Sequence, residues 1–122
     1  MRTDKNTTID NVKSEIKKYC AERDWDQYHT AKELAINISI ESAELLELFR
    51  FKSPENIQHM FESPESKNRI GDELSDVLFA VFRFAQLYDI DLTSEFDRKM
   101  IENKQKYPVD KARGSNKKYD EC

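Results

Sequence analysis

Four acidic residues stand out by type and spacing. Glu41 and Glu44 are three residues apart, and so are Glu73 and Asp76. A helix turns about 100° per residue, so each pair would present two carboxylates one turn apart on one face. Around the first pair, Leu34, Ile38, Leu45 and Leu48 fall within an arc of roughly 80°, with Glu41 inside it and Glu44 near its edge. Glu47 points further toward the polar side. The second pair sits beside a stripe made by Ile70, Leu74, Val77, Val81 and Phe84, and Ala80 and Leu87 fall between the two acids in projection. A carboxylate within an apolar stripe is costly to bury without compensation. Four that converge cannot all ionise without a counter-charge. A hard divalent cation with oxygen ligands supplies that charge, and Mg²⁺, which keeps several of its waters, fits.

Other readings of these acids exist. A single Glu-x-x-Glu on a helix is more often a solvated edge or a partner for Lys or Arg, because exposed acids are the rule. Two such pairs at core edges bring the structural and functional readings level. A di-iron bundle would want Glu-x-x-His on each of two helices. The only histidines are His29 and His59, and neither follows a Glu by three. Opposite charge comes later in the chain. Leu92 and Phe96 mark the apolar side of a further helical segment, and Lys99 and Asn103 fall on that side. An inward lysine there either makes a plain ion pair or reaches a phosphate as a point charge.

The elements that position these residues are all helical in pattern. Ile9, Val12, Ile16 and Cys20 recur at helical spacing over about residues 8–23, with Cys20 as a buried small hydrophobe. Thr30 and Glu33 have capping-box spacing, and the helix they start is expected to run to about Phe51, where Ser53-Pro54 ends it. Residues 54–62 suit a short extra helix. Ser63 as N-cap and Pro64 at the first position start a third long helix that ends near Tyr88. A fourth spans about Thr93 to Lys106, before Pro108. The expected architecture is all-α: a four-helix-bundle-like core over about 8–107 and an extended basic tail over 108–122, within one domain.

Composition agrees. The chain has 122 residues and only two glycines, Gly71 and Gly114, which disfavours Gly-rich phosphate loops and tight β-turns. Charged residues are 36% of the chain, as solvated helix faces require. The net charge of −4 gives no hint of affinity for a nucleic-acid polymer. Its distribution is uneven, with eight Lys or Arg and only two acids between Arg98 and Tyr119. The two cysteines, Cys20 and Cys122, make neither a disulfide framework nor a zinc site. No apolar run reaches membrane-spanning length and the N-terminus has no signal-peptide core, so the expectation is a soluble, cytoplasmic protein with no membrane partner.

At these residues the sequence resembles the MazG-like, all-α nucleotide pyrophosphohydrolase superfamily. Its signature is Glu-x-x-Glu, a variable spacer, then Glu-x-x-Asp. Here that reads Glu41-Ser-Ala-Glu44, a spacer of 28 residues, then Glu73-Leu-Ser-Asp76. The runs ERDWDQYHTAKELAINISIESAELLELFRFK, GDELSDVLFAVFRFAQ and KYPVDKARGSNKKY are similar to the dCTP pyrophosphatase-like branch. The resemblance covers about Ile9 to Tyr119. It implies hydrolysis of a nucleoside triphosphate to the monophosphate and pyrophosphate, with dCTP or a modified deoxynucleotide preferred. Glu41, Glu44, Glu73 and Asp76 would bind Mg²⁺, and Glu44 or Glu47 would be the general base. Lys99 and Asn103 match nucleotide-contacting positions. Trp25 and His29 lie in the segment that helps form the base pocket, and Phe51 matches a base-stacking Trp. A homodimer or homotetramer is implied. Two departures bear on base preference: Ala31 stands where relatives have Pro, and Ala80 where they often have Tyr. A different class of function, a helical interaction module whose basic tail docks an acidic partner, is separated from the enzyme by magnesium-dependent turnover.

Overall fold

Local chemistry sets the helix ends. In the computed structural model, Thr8 caps α1 (Ile9–Glu22) in a reciprocal box with Asn11, where asparagine stands in for the usual Glu or Gln. Thr30 Oγ accepts from the Glu33 N–H at 3.2 Å and starts α2 (Ala31–Glu47). Ser53 and Ser63, each followed by proline at the first helical position, start α3 (Pro54–Met60) and α4 (Pro64–Leu87). Asp91 caps α5 (Leu92–Lys106). A short α6 (Val109–Ala112) follows, and 3₁₀ turns occupy Asp26–Tyr28 and Tyr119–Glu121. The structure describes residues 1–121; Cys122 lies outside the described residues. No strand occurs among the described residues, so the protein is all-α. Nor is any helix among them long and apolar enough to cross a membrane.

Two compact units make up the chain, Met1–Asp89 and Ile90–Cys122. In the first, α4 packs against both α1 and α2. Its core is small: Ile16, Cys20, Leu34, Ile70, Ala80 and Ala85, with one buried charge, Arg83. The turn before α2 is tied to the end of α4 by the Ala31 N–H, which donates to Tyr88 Oη at 2.7 Å. A proline at 31 has no N–H and would lack that bond.

Two expectations shift. The α2 pattern runs on to Phe51, yet the α-helix ends at Glu47, and residues 48–51 continue as turns bonded from i to i−3. Phe51 then takes a left-handed φ of 63°, rare for an aromatic residue and a clean stop to any helix. On α4 the seam is rotated. Leu74 is exposed, while Ile70, Glu73, Val77 and Ala80 line the covered side. The seam therefore centres on Glu73, bringing that acid toward α2.

In the second unit, α5 covers its apolar side only partly, and Phe96 on that side stays exposed. The polar tail folds back through Gly114, whose φ is 74°. Tyr119 meets Tyr107 edge to face at 6.1 Å, and Lys106 Nζ lies 4.9 Å from the Tyr119 centroid. Such contacts give a basic tail local order without a core.

Leu34, 1% exposed, is the α2 residue most completely enclosed. Leu34→Ala should lower unfolding stability by about 2–5 kcal/mol in chemical denaturation, with the helical circular dichroism of the native state retained.

Candidate active site

The rotated α4 seam and the α2 stripe bring the four acids together. One carboxylate oxygen from each of Glu41, Glu44, Glu73 and Asp76 lies within 4.8 Å of all the others. Glu41 and Glu73 are the inner pair, half-buried, and Glu44 and Asp76 are exposed at the rim. Oε2 of Glu41 and Oε2 of Glu73 are both buried without a hydrogen-bond partner. An orphaned carboxylate oxygen carries a desolvation cost that a partner must offset. Burial raises the Glu41 pKa, helped by its hydrogen bond and charge interaction with Glu44 and by the charges of Asp76 and Glu73. Burial likewise raises the Glu73 pKa, with Glu44, Asp76 and Asp72 adding to it. The charges acting on the two are all acidic. Four hard oxygen donors around two orphaned atoms suit a divalent cation such as Mg²⁺.

A cleft of about 380 Å³ adjoins the cluster. Val12, Ile16 and Tyr19 of α1, Trp25 of the following turn, and Phe79 of α4 wall it, with Glu15 and Asp76 as its acids. Asp76 thus belongs to both cleft and cluster. Tyr19 packs edge to face on Trp25 at 5.5 Å and on Phe79 at 5.8 Å. An apolar cleft opening onto carboxylates is the usual form of a small-molecule site.

The remaining candidates are placed as follows. Trp25 lines the cleft. His29 packs its ring on Trp25 at 6.3 Å. Glu47 lies outside the acid cluster, exposed and paired with Arg50 at 3.5 Å. Phe51 is 93% exposed, outside the cleft wall, with the Arg50 guanidinium over its ring at 4.5 Å. Lys99 and Asn103 lie on α5 in the second unit, where Glu102 is shared by Lys99 at 3.4 Å and Lys106 at 3.2 Å. That sharing lowers the Glu102 pKa through hydrogen bonds and charge. Sequence reasoning missed Tyr19, Phe79 and Arg83. The signal for Arg83 was present: a guanidinium inside the apolar run VLFAVFRFAQ.

A helical fold with two converging acid pairs beside an apolar cleft has the form of a small-molecule site set against carboxylates. The MazG-like family matches residues 36–122, and the chain belongs to that family. It is similar to dCTP pyrophosphatase 1 of Rattus norvegicus, with 35% identity over 112 residues, covering 92% of this chain and 66% of the relative. For dCTP pyrophosphatase 1 of Homo sapiens the identity is 33% over 114 residues, covering 93% and 67%. The chain thus spans about two thirds of the length of these relatives. A pyrophosphatase of known crystal structure from Archaeoglobus fulgidus superposes with a TM-score of 0.77 at 30% identity, covering 88% of this chain and 99% of that one.

The raised carboxyl pKa values carry a sign. A carboxyl that binds its proton more tightly in the folded state loses folding stability as pH rises from the ordinary carboxylate range through the raised value. Metal-free wild type should therefore melt below Glu73→Gln at about pH 8, and the gap should close near pH 4. Saturating magnesium should reverse the order at the higher pH, because the ion binds only the folded acid cluster. Scanning calorimetry in chelator and in magnesium checks this. Equal melting of the two proteins in chelator at about pH 8 would contradict it.

Proposed function

We propose that this protein is a magnesium-dependent nucleoside triphosphate pyrophosphohydrolase, converting a (deoxy)nucleoside triphosphate and water to the monophosphate and pyrophosphate. The observation that carries this reading is the convergence of Glu41, Glu44, Glu73 and Asp76 at the edge of an apolar, aromatic cleft. Family membership and relatives named as dCTP pyrophosphatase and pyrophosphatase support it.

The residues divide the work. Glu41, Glu44, Glu73 and Asp76 would hold Mg²⁺, which would supply charge neutralisation of the phosphate oxygens. Glu44, at the exposed rim, takes the proton of the attacking water. The water oxygen bonds to the α-phosphorus as the bond to the β-phosphate bridging oxygen breaks, and pyrophosphate leaves. Glu47 is the second candidate for the base, and to act it must leave Arg50. By the family resemblance, Lys99 and Asn103 are assigned to nucleotide binding. Freeing Lys99 from Glu102 costs little, because both side chains are exposed and solvent screens the pair.

The base lies in the cleft between Tyr19, Trp25 and Phe79, with His29 beside Trp25. dCTP or a modified deoxynucleotide is the preferred substrate. Phe51 stacks on the base of a site shared between subunits, consistent with its exposure and its strained backbone. Exposed Ile36, Ile40 and Leu46 on α2, with Leu74 and Leu78 on α4, are covered in a homodimer or homotetramer. The enzyme acts in the cytoplasm.

Pyrophosphate release over a panel of deoxynucleoside triphosphates tests the reading. Glu41→Gln removes charge at nearly constant shape and should abolish turnover while the fold is retained. Wild-type turnover by that variant would refute the metal assignment. Phe51→Ala should weaken nucleotide binding by about 1–3 kcal/mol, seen in KM rather than kcat. Unchanged KM for Phe51→Ala would remove Phe51 from the site.

A further inference from the structure

Arg83 is 1% exposed, the only buried charged residue among the described residues. A guanidinium in a helix seam is costly to desolvate, and an apolar residue would pack there at less expense. Its three donor nitrogens are all engaged. Nη2 pairs with Asp26 Oδ1, Nη1 donates to Gln86 Oε1 at 2.6 Å, and Nε donates to His29 Nδ1 at 2.9 Å. Two of these partners lie on the Trp25–His29 turn, which joins α1 to α2. That turn needs an anchor. It leaves α1 through Asp24 at a left-handed φ of 54°, and its 3₁₀ turn has no side-chain cap.

We propose that Arg83 is a positioning residue of the nucleotide cleft, fastening the Trp25–His29 turn to α4 and fixing His29 as the neutral tautomer that accepts at Nδ1 and donates at Nε2. The proposal's link to substrate rests on the cleft being the nucleotide site. The chemistry of the tautomer is forced. Arginine is a donor only, so the ring nitrogen facing Nε must carry a lone pair, and the ring proton must sit on Nε2. Protonating Nδ1 would set N–H against N–H. Burial and then the Arg83 charge lower the His29 pKa, with Asp26 opposing. Trp25, which lines the cleft, sits on the same turn and holds its ring between Tyr19 and His29. Arg83 therefore sets both an aromatic wall of the cleft and the hydrogen-bonding character of the imidazole behind it. A ligand meeting that imidazole edge finds a donor, which favours a base presenting a carbonyl or ring-nitrogen acceptor.

Two features of the chain make this testable. Trp25 is its only tryptophan, and His29 is one of two histidines. The variants are Arg83→Met, which removes the charge at similar volume, and Asp26→Asn, which weakens the lock from its exposed partner. The readouts are the His29 ring tautomer from long-range ¹H–¹⁵N correlation, acrylamide quenching of Trp25, and steady-state kinetics on deoxynucleoside triphosphates. In wild type His29 should be the Nε2–H tautomer. In Arg83→Met the two tautomers should mix, whereas Asp26→Asn, which keeps the Arg83 Nε donor, should retain the Nε2–H tautomer. In both, Trp25 quenching should increase and KM should rise about tenfold with kcat within about twofold. Should Arg83→Met fail to fold, the wild-type tautomer together with the quenching and KM of Asp26→Asn decides the proposal. A wild-type His29 protonated on Nδ1 overturns the proposal. So does either variant with lowered Tm but unchanged quenching and KM, which would make Arg83 a structural tie only. If wild type hydrolyses no nucleotide, the enzymatic reading fails, while tautomer and quenching still decide whether Arg83 fixes the turn.

Discussion

The structure depends on a repulsion. Four carboxylates whose oxygens lie within 4.8 Å of one another cannot all be charged without help, and two of those oxygens are buried with no hydrogen-bond partner. Only close packing of α2 against α4 holds them there. The seam is built from modest apolar residues such as Leu34, Ile70 and Ala80. Their burial opposes the repulsion in the metal-free protein, and a divalent cation would convert the same geometry into a binding site. Other features of the first unit, including the rotation of α4 that leaves Leu74 exposed, follow from aiming Glu73 and Glu41 at one point.

Helix α4 works as a ruler. Glu73 and Asp76 supply half the acid cluster, Phe79 one turn later walls the cleft, and Arg83 a turn beyond that anchors the Trp25–His29 turn. From Asp76 to Arg83 is seven residues, about 10 Å along the axis. One rigid element thus spaces acid pair, cleft wall and turn anchor over about 10 Å. The two buried polar sites on it are solved differently. The acids keep two buried oxygens without a hydrogen-bond partner, whereas Arg83 is satisfied within the chain by Asp26, His29 and Gln86. The first arrangement suits a site that must bind and release; the second suits one that must stay fixed.

Much of this was legible in the sequence, and what was not has physical causes. The helix starts at Thr30 and Ser63 could be read because capping is local chemistry. The acid quartet could be read because helical spacing projects each pair onto one face. The end of α2 could not, since its turn uses a phenylalanine in the left-handed region where glycine is the usual sign. Leu74 was misplaced because a stripe of apolar residues on a long helix leaves its centre uncertain by one position. The apolar run around Arg83 marks it, but arginines commonly reach solvent from a buried stem, so its burial and its partners could not be read from that run. Tyr19 and Phe79 come from different helices, so no spacing in the chain links them.

The central claim is that Glu41, Glu44, Glu73 and Asp76 form one divalent-cation site. Titration of the protein with Mn²⁺, a spectroscopic stand-in for Mg²⁺, measures it directly by the loss of the free-ion electron paramagnetic resonance signal. Wild type should take up Mn²⁺ saturably, magnesium should displace it, and the double variant Glu41→Gln/Glu73→Gln should lose that uptake while keeping its helical circular dichroism. Saturable, magnesium-displaceable uptake by the folded double variant equal to that of wild type would contradict the account.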